Sequence, residues 1–76
     1  MLSFDLAQGG ETRLDVYDAA GRRVASLLHS GLEPGRYSVR WDGRADGGSA
    51  LQAGLYFARL SAPGARPHAV RLAIVR

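Results

Sequence analysis

The chain has 76 residues, of which 46% are hydrophobic, and ten basic residues against seven acidic ones give a formal net charge of +3. These values indicate one small folded domain and exclude a disordered chain, and the longest apolar runs are far shorter than the roughly 20 residues of a membrane-spanning helix. Cysteine is absent, which excludes disulfides, cysteine-based zinc sites and thiol nucleophiles.

Apolar and polar residues alternate with period two in the first part of the chain, a pattern typical of strands with one buried face. The first predicted strand spans 2–6, and the second spans 13–17 after a turn at 8–11. Asp18 and Gly21 then bound a predicted tight hairpin, because aspartate bonds its own turn and glycine accepts a positive φ.

The segment 22–29 has two interpretations. Val24, Leu27 and Leu28 have the spacing of one helical face. Eight residues would be a short, uncapped helix, however, and the hairpin signal before them favours a return strand. We therefore predict a strand.

The middle of the chain predicts a turn, a strand and a long loop. The turn at 30–35 ends on Gly35, and Tyr37, Val39 and Trp41 then alternate with polar residues as a strand would. The segment 42–49 is rich in Gly, Asp and Ser and is the most loop-like part of the sequence.

Two further strands complete the prediction. Gly54 opens one of them, whose inward-facing residues are predicted to be Tyr56, Ala58 and Leu60. The last spans 68–76, with Val70, Leu72 and Ile74 on one face. About six or seven short strands separated by Gly and Pro turns predict an antiparallel β-sandwich of about seven strands, of the immunoglobulin or fibronectin-III type, with a small β-barrel as the alternative.

Three segments carry a family resemblance: VYDAAGRRV at 16–24, PGRYSVRWDG at 34–43 and AGLYFARL at 53–60. In this order they resemble the immunoglobulin-like domain of flagellar hook-capping proteins and the related C-terminal domains of bacterial secreted proteins, including type IX secretion sorting domains. The motif positions, structural in that family, are Tyr17, Asp18, Gly21, Gly35, Trp41, Asp42, Gly43, Gly54, Tyr56 and Leu60.

The resemblance implies a function without catalysis. It predicts that residues 1–76 form a single immunoglobulin-like domain, the C-terminal module of a longer secreted protein, which serves export, sorting or attachment at the cell surface. Arg71 lies where sorting domains often carry a basic residue. The N-terminal residues lack the pattern of a signal peptide, so we expect any export signal to lie outside this chain.

Catalytic residues are not predicted. His29 and His68 are the only histidines, no G-x-S-x-G motif surrounds any serine, and a domain of this size rarely encloses a substrate pocket. We expect no enzyme activity, no cofactor and no small-molecule substrate.

The loop after Trp41 has a superficial likeness to a calcium site. Asp42 and Asp46 fit the first and fifth positions of a calcium loop, but Arg44 occupies the third and Ala53 the twelfth, where oxygen ligands are needed. We predict instead that these aspartates bond neighbouring backbone N–H groups, and we predict no metal site.

Arginines lie close to aromatic residues in the sequence, as in proteins that bind single-stranded nucleic acid. The residues concerned are Arg36, Arg40, Arg44 and Arg59, beside Tyr37, Trp41, Tyr56 and Phe57. Alternation places Arg40 on the side opposite to Tyr37 and Trp41, and acidic residues are dispersed among the arginines. Nucleic acid is therefore the less favoured partner. A basic surface could equally bind anionic polysaccharide or lipid headgroups.

Recognition through strand edges is the favoured mechanism, because an open sandwich leaves unpaired N–H and C=O groups at its edges. The candidate edge residues lie in the first and last strands and are Leu2, Phe4, Arg71, Ile74 and Arg76. The predicted partners are the secretion or surface-attachment machinery, or other copies of the chain. The second case would make the domain a subunit of an extracellular filament or sheath.

Overall fold

The computed structural model describes residues 2–64, 66 and 68–74, and these form six strands joined by turns and loops. The strands are β1 Leu2–Leu6, β2 Gly10–Asp18, β3 Arg23–Leu32, β4 Gly35–Val39, β5 Gly54–Ser61 and β6 His68–Ile74. All the strand pairings are antiparallel, so the predicted all-β class is confirmed. Within the described ranges, no helix is long and apolar enough to cross a membrane.

The strands form two sheets of unequal size. A two-stranded sheet pairs β1 with β4, and a four-stranded sheet has the order β3-β2-β5-β6. In the smaller sheet Phe4 lies opposite Tyr37, and their rings stack with centroids 5.6 Å apart. Leu2 and Phe4 line, together with residues of β2, β5 and β6, a cavity of about 50 Å³ between the sheets. This is a sandwich with one narrow layer.

The core lies on the inner face of the four-stranded sheet. Val16 of β2 is 0% exposed, and its partners Ala25 of β3 and Ala58 of β5 are also buried. Tyr56 is buried beside them, and its hydroxyl donates to the Gln52 carbonyl at 2.8 Å. The predicted inward orientation of the even-numbered residues of β5 therefore holds.

The segment 22–29 forms a strand from Arg23 onwards, as predicted, and the strand continues further than the sequence indicated. β3 reaches Leu32, because Ser30 and Gly31 pair with Thr12 and Glu11 of β2. The turn predicted at 30–35 is accordingly shorter.

Trp41 does not belong to a strand, which corrects the prediction from alternation. β4 ends at Val39, and the indole Nε1 of Trp41 donates to the Arg44 carbonyl at 3.1 Å within the following loop. That loop contains an isolated bridge between Arg44 and Ala50 rather than a further strand. The described residues have six strands, within the predicted number of six or seven.

Candidate interaction surfaces

The Asp18 motif builds the turn between β2 and β3. The Asp18 Oδ1 atom accepts hydrogen bonds from the backbone N–H groups of Ala20 at 3.0 Å and Arg22 at 2.9 Å, and Oδ2 accepts from the Arg22 Nε at 3.1 Å. The backbone N–H of Arg22 is the main cause that lowers the pKa of this carboxyl below its ordinary value. Gly21 has a φ of 87°, in the region that favours glycine.

The Trp41-Asp42-Gly43 motif closes the long loop in the same way. The Asp42 Oδ1 atom accepts from the backbone N–H of Arg44 at 3.1 Å, and the Gly43 carbonyl accepts from Leu51 at 3.1 Å. Gly43 has a φ of 77°. The indole of Trp41, whose Nε1 donates to the Arg44 carbonyl, packs edge-on against Tyr56, with ring centroids 6.2 Å apart.

Asp46 docks this loop on β3. Its Oδ1 atom accepts from the backbone N–H of Ser26 at 2.9 Å, and its own N–H donates to the Val24 carbonyl at 3.1 Å. Asp42 therefore bonds a neighbouring backbone N–H group, as predicted. For Asp46 that prediction is wrong, because its carboxylate bonds a residue twenty positions away on β3. Across the described residues, no group of three or more potential metal ligands occurs.

The remaining motif residues lie in the strands. Gly35 and Gly54 are the first residues of β4 and β5, Tyr17 lies near the end of β2, and Leu60 is half-buried near the end of β5. The motif thus marks turns, strand starts and core contacts, and its acidic members bond within the chain.

The β6 strand is an edge of the four-stranded sheet, since its described residues pair with β5 alone. Ile74 of β6 and Leu2 of β1 line one cleft of about 250 Å³ with Trp41, so the two predicted edge strands border the same space. Val70 is 45% exposed. Phe4, by contrast, is half-buried against Tyr37.

Arg71 points to the other side of β6. It lies opposite Phe57 in the ladder with β5, on the face of the sheet turned away from Val16. Arg76 lies outside the described residues. The edge residues thus divide between two faces, and their role as an interaction site stays a prediction.

The outer face of the four-stranded sheet is a charged surface that the sequence did not predict. We call it the arginine face; its members are Arg13, Arg23, Arg59 and Arg71, together with Tyr17 and Phe57. Arg13, Arg23 and Arg59 line, with Tyr17, a cleft of about 220 Å³. Strand neighbours form this surface, so only the pairing registers could have revealed it.

Asp15 lies at the centre of the arginine face. It is 4% exposed, its Oδ2 atom is 3.0 Å from the Nε of Arg13, and its Oδ1 atom has no hydrogen-bond partner. A buried carboxylate is stable only near positive charge. Asp15 therefore offsets part of the repulsion among the surrounding guanidinium groups.

Comparisons with known proteins agree with this geometry. The sequence model of the FlgD Ig-like domain family matches residues 2–65. No curated protein matches the chain.

Among solved structures, the fold is similar to part of PorZ from Porphyromonas gingivalis, which is described as an essential bacterial surface component of the type-IX secretion system. The TM-score is 0.59 at 19% sequence identity, and the match covers 88% of this chain and 8% of PorZ. At this identity the likeness concerns the fold, and the chain spans a small part of the PorZ length.

Proposed function

Because this chain belongs to the FlgD Ig-like domain family, we propose that it is a non-catalytic module that helps to export, sort or attach a secreted bacterial protein at the cell surface. The observation that carries the proposal is the use of the motif carboxylates. The two motif aspartates, Asp18 and Asp42, both bond backbone N–H groups of the chain itself, which supports a role for the motif in shaping a recognition surface. The similarity to part of a type IX secretion surface component supports the same context.

The β6 strand is the recognition element in this proposal. Its outer edge offers backbone N–H and C=O groups to an extended segment of a partner, which would add to the sheet as a further strand. Val70 is exposed on the inner side of this edge and offers apolar contact to such a segment. Secretion or attachment machinery would supply the partner.

A fusion experiment tests the export role. A reporter protein with a signal peptide is joined to the N-terminus of this chain and produced in Porphyromonas gingivalis, whose surface carries PorZ. We expect the reporter to become accessible to protease on intact cells, and to stay inside the envelope when the chain is omitted. Equal accessibility with and without the chain would refute the export role.

Two matched variants test the edge. Val70 in β6 and Leu55 in β5 are the two exposed large hydrophobic residues of the described chain, at 45% and 51% exposure. Val70→Lys places a charge at the edge, whereas Leu55→Lys places one on the outer face of an interior strand. We expect the first to reduce surface display of the reporter and the second to leave it unchanged.

Self-assembly is a second candidate function, favoured by the same exposed Val70 on an edge strand. Two copies could pair their β6 edges and cover this apolar surface. Sedimentation over a range of concentrations would then show growth from monomers to larger species. Val70→Lys would suppress that growth, and a monomer at every concentration would exclude this candidate.

A further inference from the structure

The arginine face has one row of side chains that crosses all four strands. Arg23 of β3 lies opposite Tyr17 of β2, Tyr17 lies opposite Phe57 of β5, and Phe57 lies opposite Arg71 of β6. Opposite residues of antiparallel strands point to the same face, and strands lie about 4.8 Å apart. Two rings on the central strands therefore stand between two guanidinium groups, in a row about 14 Å long.

The face carries an excess of positive charge. Arg13 and Arg59 flank the row, and the buried Asp15 is paired with Arg13. Within the described part of the chain, Arg23, Arg59 and Arg71 form no ion pair with a carboxylate. Their guanidinium groups have donors that can bind an external anion.

We propose that the arginine face binds single-stranded nucleic acid. Unpaired bases would stack on Tyr17 and Phe57, which are half-buried and hold their rings on the sheet surface, and phosphates would bind Arg23, Arg59 and Arg71. A four-stranded antiparallel sheet with aromatic residues on its central strands is a known platform for stacked bases. The inference is independent of the proposed export role.

A single strand fits this face better than the other polyanions do. A duplex keeps its bases stacked inside, and proteins read it with elements that enter a groove, which an open sheet face does not provide. Acidic polysaccharides and acidic proteins would use the arginines, but they do not require the two rings between them. A contribution of the two rings to binding affinity therefore distinguishes a single strand from these other polyanions.

Fluorescence anisotropy of a labelled oligodeoxythymidine of about 12 nucleotides gives the affinity, measured over a series of salt concentrations. We expect binding that weakens as salt increases, because bound phosphates release counterions. A duplex of equal length and polygalacturonate serve as competitors, and we expect both to compete more weakly than unlabelled oligonucleotide. If either competes equally well, the face binds polyanions in general and the proposal is wrong.

Paired substitutions separate charge from stacking. The double variant Arg23→Gln with Arg71→Gln should make the slope of log K against log salt concentration less negative by about 1.4. Each phosphate contact on a single strand contributes about 0.7 to this slope. Arg36→Gln with Arg40→Gln removes the same charge from the β4 region, where Arg36 pairs with Asp5, and serves as the control. An equal effect of the control pair would contradict the proposal.

Tyr17→Leu with Phe57→Leu tests the rings. We expect an affinity loss of at least about fivefold for each ring, with the salt dependence unchanged. If the leucine variant does not fold, Asp15→Asn provides a second test. It adds net positive charge to the face and should therefore tighten binding. Unchanged affinity in a folded leucine variant, or in Asp15→Asn, would overturn the assignment.

Discussion

Two aspartates near the β2 strand show how position decides what a carboxylate does. Asp18, the last residue of the strand, accepts hydrogen bonds from the backbone N–H groups of Ala20 and Arg22 in the turn and from the Arg22 side chain. Asp15, within the strand, is buried with one oxygen bonded to Arg13 and the other without a partner. The first stabilises a turn, whereas the second serves the charge balance of the arginine face.

Asp18 should make stability depend on acid. Hydrogen bonds to its charged form lower its folded pKa below the ordinary value of 3.8, so its contribution is present above that value and is lost as the pH falls through the folded pKa. Asp18→Asn should therefore be less stable than the original chain at neutral pH, and the difference should shrink in acid. Urea unfolding between about pH 7 and about pH 2 measures it. A difference that is constant with pH would contradict this account.

Val16 should contribute more to stability than any exposed valine, because its side chain is 0% exposed in the centre of the core. Val16→Ala should lower the free energy of unfolding by about 2–3 kcal/mol, through lost burial and the cavity that remains. Val70→Ala removes the same atoms from a 45% exposed position and should cost less than about 0.5 kcal/mol. Denaturant unfolding of both variants checks the contrast.

The residue types at the turns were predictable from the sequence, whereas the environment of Asp15 was not. Aspartate followed by glycine signals a tight turn through local hydrogen bonds alone, and both Asp18 and Asp42 behave in this way. Alternation places Asp15 on the polar side of β2. It is nevertheless buried, and it lines a cleft with Arg23 of β3 and Arg59 of β5, which only the strand pairing brings beside it.

Among the elements, the β2–β3 hairpin isolates the effect of a single backbone conformation. Gly21 has a φ of 87°, and a Cβ added there would meet no atom within 4 Å. Gly21→Ala should therefore destabilise the domain by about 1–2 kcal/mol through backbone strain alone.

Gly31 in β3 is the matched control, because an added Cβ there also meets open space and no positive φ occurs. Gly31→Ala should be neutral or stabilise by up to about 1 kcal/mol, since alanine loses less chain entropy on folding. Thermal unfolding of both variants tests the pair, and equal effects would exclude strain as the cause.

Strand positions were predicted better than strand ends. Period-two alternation and hairpin chemistry identified β1, β2, β3, β5 and β6, including the segment with helical spacing. The end of β4 was wrong because Trp41 continues the apolar pattern of that strand, although its backbone has already entered the loop and its indole donates to Arg44. Alternation records which side chains are apolar, not which backbone groups form the ladder.

At the scale of the whole molecule, the surface depends on strand order. Among arginines and rings that are neighbours in sequence, alternation directs Arg40 away from Tyr37. The order β3-β2-β5-β6 instead aligns Arg23 and Arg71 with Tyr17 and Phe57 from separate segments. One-dimensional periodicity contains no information on these registers, so the fold class was predictable and the arginine face was not.

The pairing of β1 with β4 has a consequence for how the domain forms. The hairpins β2–β3 and β5–β6 join strands that are adjacent in sequence, whereas β1–β4 and β2–β5 join distant ones. Bringing distant strands together costs chain entropy before their contacts can offset that cost. We therefore expect refolding on the slow scale of all-β domains, from milliseconds to seconds. Trp41 is the only tryptophan and packs on Tyr56, so its fluorescence can follow this assembly. Until both long-range pairings have formed, newly made chains would expose the apolar inner face of the larger sheet.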